Sequence, residues 1–411
     1  MNATLTTWPV VVIGAGAAGV TAAIFAARGG VSVLVVETRP QPGAKIRVSG
    51  GGRCNVLPSR VSIDDFHTAG SRHAMRNVLL SWPLAEVSAF FEGDLGVALK
   101  VEATGKVFPQ SDDAREVVSA LLGACVAAGV ELRAPFRAST VRRDADGFVV
   151  ESADGGGVRC RYLVLATGGL SLPKTGSDGF GMAAAQAMGH TLVPTYPALV
   201  PLVTEEAGWR DLSGVSAHAT ITARRGDRVL ERCEGSLLFT HQGFSGPVVL
   251  DISRHVTPRG AGGVELRVRW GHVPDWDAYL RGGGGITAGA ALRPHLPQRL
   301  TALLLARAGV NAGGRLSELT RASRARLVEV LEDFRLPVAG SEGYRKAEVT
   351  GGGVPLSEVS TKTLESRVVP GLYLCGEILD VTGRLGGYNF LWAWVTGRKV
   401  GSALATIHGR Q

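Results

Sequence analysis

The residues best suited to chemistry open the chain. Gly14-Ala15-Gly16-Ala17-Ala18-Gly19 sets three glycines at the spacing that holds a diphosphate. Gly14 permits a sharp turn, Gly16 lets the backbone approach a pyrophosphate, and Gly19 lets a helix pack on the strand before it. A helix beginning at Ala17 adds unpaired N–H groups and about half a positive charge facing the phosphates. Glu37 stands eighteen residues after Gly19, with Thr38 beside it. A carboxylate there accepts both hydroxyls of a ribose and repels a 2′-phosphate.

Further cradles follow. Residues 45–55, KIRVSGGGRCN, read as a cationic glycine-rich loop able to run back along a dinucleotide, with Lys45, Ser49, Gly50, Gly51, Arg53, Cys54 and Asn55 as candidates. Ala166-Thr167-Gly168-Gly169 ends another apolar run. Gly376, Glu377 and Asp380 place acids after a third run, and Gly386-Gly387-Tyr388-Asn389 opens the last helix. The fingerprint alone serves NAD and FAD equally. Cradles from both ends of the chain suit the longer FAD, with its ribityl and ring. The helix opening near Gly387 and Tyr388 is expected to aim N–H groups at the flavin N1–C2=O edge, where reduction builds negative charge.

Proton carriers are fewer. His241, in FTHQGFSGP, sits at a glycine-rich turn and suits proton transfer near neutral pH, or is a hydrogen-bonded structural histidine. Tyr388 is a second candidate, with ring packing as its other reading. Arg384 either anchors a substrate carboxylate or pairs with Asp380. Cys54 either tunes a flavin or simply packs. The first histidine is His67, beyond the 49–55 loop, so no histidyl tether to FAD forms in that loop and the cofactor is expected to be non-covalent.

These residues need particular elements. Residues 9–13 and 31–37 read as buried parallel strands around a small-residue helix at 17–28, a βαβ unit. Residues 112–128 read as a helix capped by Ser111, 177–188 as another, 316–334 as an amphipathic helix and 390–407 as the final one. Between 191 and 270 the pattern alternates, which predicts antiparallel strands. The expected organisation is a discontinuous α/β domain over 1–190 and 346–411, interrupted by a β subdomain at 191–280 and a helical one at 281–345. The insert is expected to cover the flavin. The fold class is α/β, a Rossmann-like FAD-binding domain with an insert whose antiparallel β part is barrel-like.

Composition excludes several classes. The 411 residues are 45% hydrophobic and 19% charged, with 56 glycines and 19 prolines, which rules out disorder, collagen and coiled coil. Net charge is +8, but the arginines are scattered or beside acids, so no nucleic-acid partner is expected. The five cysteines form no CxxC and no zinc knuckle, which fits a reducing cytosol and gives no metal site. Glycines inside the apolar 8–27 stretch, and no basic residue before it, predict neither export nor membrane insertion. Oligomeric state is not legible.

The strings SGGGRCN (49–55), ATGG (166–169), FTHQGFSGP (239–247), TGGGV (350–354) and GLYLCGEILDVTGRLGGYNFLWAW (371–394) resemble the aminoacetone-oxidase/BaiN-like bacterial flavoproteins, NAD(P)/FAD-dependent oxidoreductases. The resemblance implies a glutathione-reductase/succinate-dehydrogenase-like flavoprotein fold and non-covalent FAD. It puts the pyrophosphate on Gly14, Gly16 and Gly19, the adenosine ribose on Glu37, and the ribityl and flavin along Lys45, residues 49–55, Gly376, Glu377 and 386–389. Three functions follow as expectations. The chain is a reductase of an activated, enone-like double bond in a small molecule, an oxidase of a small amine such as an aminoketone, or a flavin-binding redox sensor. No second fingerprint is present, so NAD(P)H, the candidate donor, would have to bind at the flavin itself.

Overall fold

A computed structural model describes residues 5–257 and 262–409. The chain divides into two units, Met1–Thr195 with Val349–Gln411, and Tyr196–Glu348.

In the first unit the β-branched runs form a central parallel sheet. Its order is Glu131–Arg133, Val33–Val36, Thr6–Ile13, Gly157–Leu165, with Leu372–Leu374 beside the last three residues of Gly157–Leu165. All five run the same way. The first half of Gly157–Leu165 instead pairs antiparallel with Phe148–Ser152, whose hairpin partner is Ala138–Arg143. Val10, Val11, Val12, Val33, Val35, Leu163, Val164 and Leu372 are all buried to 1% exposure or less, as strands covered on both faces require. Parallel strands put their carboxyl ends on one edge, and Gly14, Glu37, Ala166 and Cys375 follow directly from four of them. Gly14 N–H donates to Val36 O and Ala166 N–H to Ile13 O, fastening that edge together.

The last helix, Tyr388–His408, packs on the first, Ala17–Arg28. A Cβ on Gly397 would lie 2.4 Å from Ala18 O, and one on Gly401 2.4 Å from Ala22 O. Small residues thus let the two backbones touch. This is how the sequence brings its two ends to one place.

Three helices start later than the pattern predicts. The expected 112–128 helix is Ala114–Ala127, capped by Asp113 accepting from Arg115 N–H, because Asp112 sits at φ 55. The expected 177–188 helix is Phe180–Ala187, since Gly176 and Gly179 hold left-handed turns ahead of it. The expected 316–334 helix is a 3-10 turn, Leu316–Glu318, followed by Arg321–Glu332 with Thr320 as cap.

The second unit is an antiparallel sheet with helices. Strand order is Phe334–Arg335, Val264–Trp270, Ser216–Arg225, Arg228–Phe239, Gly243–Ser245, Leu202–Val203, Gly340–Ser341. The two edge strands are joined by residues 336–339 alone, a link spanning at most about 18 Å. Seven flat strands would hold those edges roughly 29 Å apart. The sheet therefore curls toward closure. Inside it Trp209 stacks on Phe239 and Trp270, at ring separations of 5.9 and 6.1 Å. Leu300, Leu304, Leu327 and Leu331, from helices Gln298–Ala308 and Arg321–Glu332, join the same core.

Candidate functional site

The three fingerprint glycines differ in what they avoid. Gly14 sits at φ +106, and its Cβ would lie 2.6 Å from Ala166 O. A Cβ on Gly19 would lie 1.9 Å from Gly14 O, so the helix rests on the turn. Gly16 is extended, at φ −85 and ψ −173, and its Cβ would meet nothing within 4 Å. It faces open space in front of a helix whose first three N–H groups have no intrahelical acceptor. That is room for a diphosphate, and the position fits FAD. Ala17 and Ala18 occupy the first turn as expected.

Glu37 is clamped beside this turn. Ala15 N–H donates to its Oε2 and Arg39 N–H to its Oε1, each at 2.8 Å. A carboxylate has about four lone-pair sites, so both oxygens can still accept a ribose hydroxyl. Thr38 is half-buried next to it.

The 45–55 segment is not the open loop expected. Ala44–Val48 is a short helix and Ser49–Gly52 a 3-10 turn, with Gly50, Gly51 and Gly52 all at positive φ. Two of its three cations are committed to acids, while Arg47 Nε donates to Pro42 O. Arg53 pairs with Glu102 at 2.6 Å and Asp112 at 3.5 Å, and lies 4.0 Å above the Phe108 ring. Lys45 Nζ pairs with Glu377 Oε2 at 2.7 Å and donates to Ser171 Oγ at 2.9 Å. Glu377 Oε1 in turn accepts from Ser171 Oγ and from Thr350 N–H. Burial works to raise the Glu377 carboxyl, but the Lys45 charge and these hydrogen bonds hold it below the usual range. Neither Ser171 nor Thr350 was legible as a site residue, although TGGGV (350–354) was visible as a motif. In the ATGG turn, Gly168 is at φ +72 and a Cβ on Gly169 would lie 2.4 Å from Thr350 Oγ1.

The opening of the last helix is held by bonds within the protein. With the Asn55 amide oriented to satisfy both ends, its oxygen accepts from Gly387 N–H at 3.1 Å and its nitrogen donates to Leu57 O and Val107 O. In that orientation the Gly387 N–H is engaged within the protein. Asn389 closes the turn before the helix, accepting from Gly383 N–H at 2.8 Å and donating to Gly383 O at 2.9 Å. Gly387 is at φ +90 and its Cβ would lie 2.4 Å from Leu57 C, and Gly386 is at φ +121. Tyr388 meets Phe66 edge-on at 5.8 Å. Gly376 likewise uses its backbone internally, its N–H donating to Thr396 Oγ1 and its carbonyl accepting from Trp392 Nε1.

Asp380 is buried, and its Oδ2 accepts from Thr68 Oγ1 at 3.0 Å and Ala69 N–H at 2.9 Å. Burial raises its carboxyl above the usual range against those bonds. Arg384 N–H donates to Asp65 O. His241 belongs to the second unit, exposed in the turn between Arg228–Phe239 and Gly243–Ser245.

Cys54 is fully buried at φ 60, and burial pushes its thiol up to about 12, with a Ser49 hydrogen bond opposing. Cys125 and Cys160 are likewise pushed up to about 12 by burial, and all five thiols are free and buried. Ellman's reagent should therefore titrate close to zero thiols in the folded protein and five in denaturant. A rapidly reacting native thiol at Cys54 would favour the redox-tuning reading over packing.

Residues 8–403 match the family model described as HI0933-like protein Rossmann domain. The chain is 36% identical over 396 residues to a ribosomal RNA dihydrouridine synthase of Escherichia coli (strain K12), covering 93% of this chain and 94% of that protein. It is 35% identical over 405 residues to a 3-dehydro-bile acid delta(4,6)-reductase of Clostridium scindens, covering 96% and 98%. Among solved structures, a flavocytochrome c3 fumarate reductase shares 18% identity at a TM-score of 0.51, covering 98% of this chain and 78% of that one. A 3-ketosteroid-delta4-(5alpha)-dehydrogenase from Rhodococcus jostii RHA1 shares 17% at a TM-score of 0.51, covering 98% of each. At these identities the two structures speak for the fold alone.

Proposed function

The chain belongs to the HI0933-like Rossmann family and is an FAD-dependent oxidoreductase, and from that premise we propose that it reduces a carbon–carbon double bond conjugated to a carbonyl. One observation carries this reading. Two relatives at 35–36% identity, each aligned over at least 93% of the chain, are named for different substrates but the same kind of change. A 3-oxo-4,6-diene is conjugated to its ketone, and the uracil C5=C6 bond that is saturated in dihydrouridine is conjugated to C4=O. Both accept hydride at the carbon remote from the carbonyl and a proton at the neighbouring one.

Bound FAD supplies hydride transfer through its N5. The protein's own residues would do the rest. The turn at Gly14, Gly16 and Gly19 and the first N–H groups of Ala17–Arg28 would take the diphosphate. Glu37 would take the adenosine ribose. The Lys45–Glu377 pair, fixed by Ser171 and Thr350, would present a rigid polar wall along the ribityl. His241 and Tyr388 are the candidates for the proton that completes the reduction, and NAD(P)H is the candidate hydride source.

The substrate divides the two relatives. One of them is named for ribosomal RNA, so the second reading places the reduced bond in a uracil of an RNA. That reading would overturn the expectation of no nucleic-acid partner.

The test is anaerobic. Full-length protein with NADH or NADPH is given either unmodified transcribed ribosomal RNA or a 3-oxo-4,6-diene steroid acid, and mass spectrometry looks for a gain of two hydrogens. Turnover of either supports the reading, and which one reacts identifies the substrate class. Reduction of the flavin by an aminoketone with peroxide release in air, and no double-bond product from either substrate, would replace it with the oxidase.

A further inference from the structure

We propose that His218, Glu234 and His272, in the second unit, form a binding site for a divalent transition ion of the zinc type. His218 lies on Ser216–Arg225 and Glu234 on Arg228–Phe239, while His272 follows Val264–Trp270. The antiparallel register joins them. Glu234 is opposite Thr220, two residues from His218 and so on the same face of the sheet. Trp270 is opposite Ala219, so the chain leaving Val264–Trp270 carries His272 past His218.

The ligand geometry is close to that of a metal site. One donor atom from each of the three residues lies within 4.8 Å of the other two. His218 Nε2 is 3.4 Å from Glu234 Oε1, near the roughly 3.3 Å edge of a tetrahedron with 2.0–2.1 Å bonds. The His272 ring stacks on His218 at 3.5 Å and 27°, so a modest side-chain rotation brings its nitrogen in. Two imidazoles and a carboxylate suit zinc, with water in the fourth position. Among the described residues no other group of three such side chains meets the same spacing.

The turn bearing His272 is fixed independently. Gly271, at φ +71, donates its N–H to His218 O at 2.9 Å. Arg269 donates to Val273 O at 2.9 Å and to Pro274 O, and pairs with Glu332. Trp276 Nε1 donates to Trp270 O at 3.0 Å. A bound ion would staple three strands at one end of the sheet.

The experiment uses the full chain with its flavin, stripped of metal by a chelator and then titrated with zinc chloride in a calorimeter. One equivalent is expected to bind and to raise the melting temperature. His272 and Glu234 are exposed, so H272A and E234Q should fold and keep their flavin. Loss of a ligand should weaken binding at least about 100-fold, since losing a mere outer-shell partner already costs 10–100-fold. No zinc uptake by the parent overturns the proposal. So does parent-like affinity and stoichiometry in both H272A and E234Q.

Discussion

Gly16→Asp should yield a folded, colourless protein. The backbone at Gly16 is one that any residue adopts, and its Cβ meets no protein atom within 4 Å. The substitution therefore fills only the space in which we propose the diphosphate lies. Gly16 is also the N-cap of Ala17–Arg28 and now has no side-chain cap. Aspartate is a favoured cap, worth about 0.5–2 kcal/mol to a helix. The variant should melt at or above the parent stripped of flavin, while its flavin content falls below roughly a tenth of the parent's, because a carboxylate stands where the diphosphate must lie. Gly19→Ala is the contrast. Its Cβ would lie 1.9 Å from Gly14 O, so helix and strand must part and the melting temperature should fall. Absorbance near 450 nm and thermal melts of both variants check the pair. Full flavin content in G16D would remove the diphosphate from this turn.

Lys45→Met should be the most destabilising polar substitution at the site. It leaves the Glu377 carboxylate, whose side chain is 17% exposed, without its cation. Breaking a buried pair costs about 3 kcal/mol at the lower end of its range, or about 6–12 °C in melting temperature for a unit of this size. The pH dependence follows from the lowered Glu377 carboxyl. In the parent its stabilising contribution is present above the unfolded carboxylate range and is lost as pH falls through the folded value. In K45M the opposing charge is gone, burial dominates, and Glu377 prefers its proton. The deficit of K45M should be largest at pH 7–8 and shrink toward pH 4. Adding Glu377→Gln should recover much of it. Chemical denaturation of the parent, K45M and K45M/E377Q across that range measures the effect. An equal deficit at every pH would show that Lys45 acts by packing rather than charge.

What the sequence made legible was local. The turn at 14–19, the strands around it and the carboxylate at 37 are one continuous piece of chain, so spacing alone places them. The last helix was also legible, because Gly397 and Gly401 lie within an apolar run, but the bonds that hold its opening were not. With the Asn55 amide oriented to satisfy both ends, it takes the Gly387 N–H, 332 residues later in the chain, and no local pattern reports such a bond. Lys45 and Glu377 are separated by the same distance and bind each other, a pairing that local spacing does not report either. His218, Glu234 and His272 carry no motif spacing, since strand register rather than sequence distance brings them together. The helix starts at Ala114 and Phe180 slipped because a left-handed residue, which hydrophobic periodicity does not see, precedes each helix.

Gently purified full-length protein, precipitated by heat or acid, should release its flavin into the supernatant for chromatographic identification. One FAD per chain, with no flavin left on the precipitate, is the result expected of a non-covalent dinucleotide held at the opening turn. A colourless protein that takes up no added FAD, or one that carries only FMN, would contradict the account at its base.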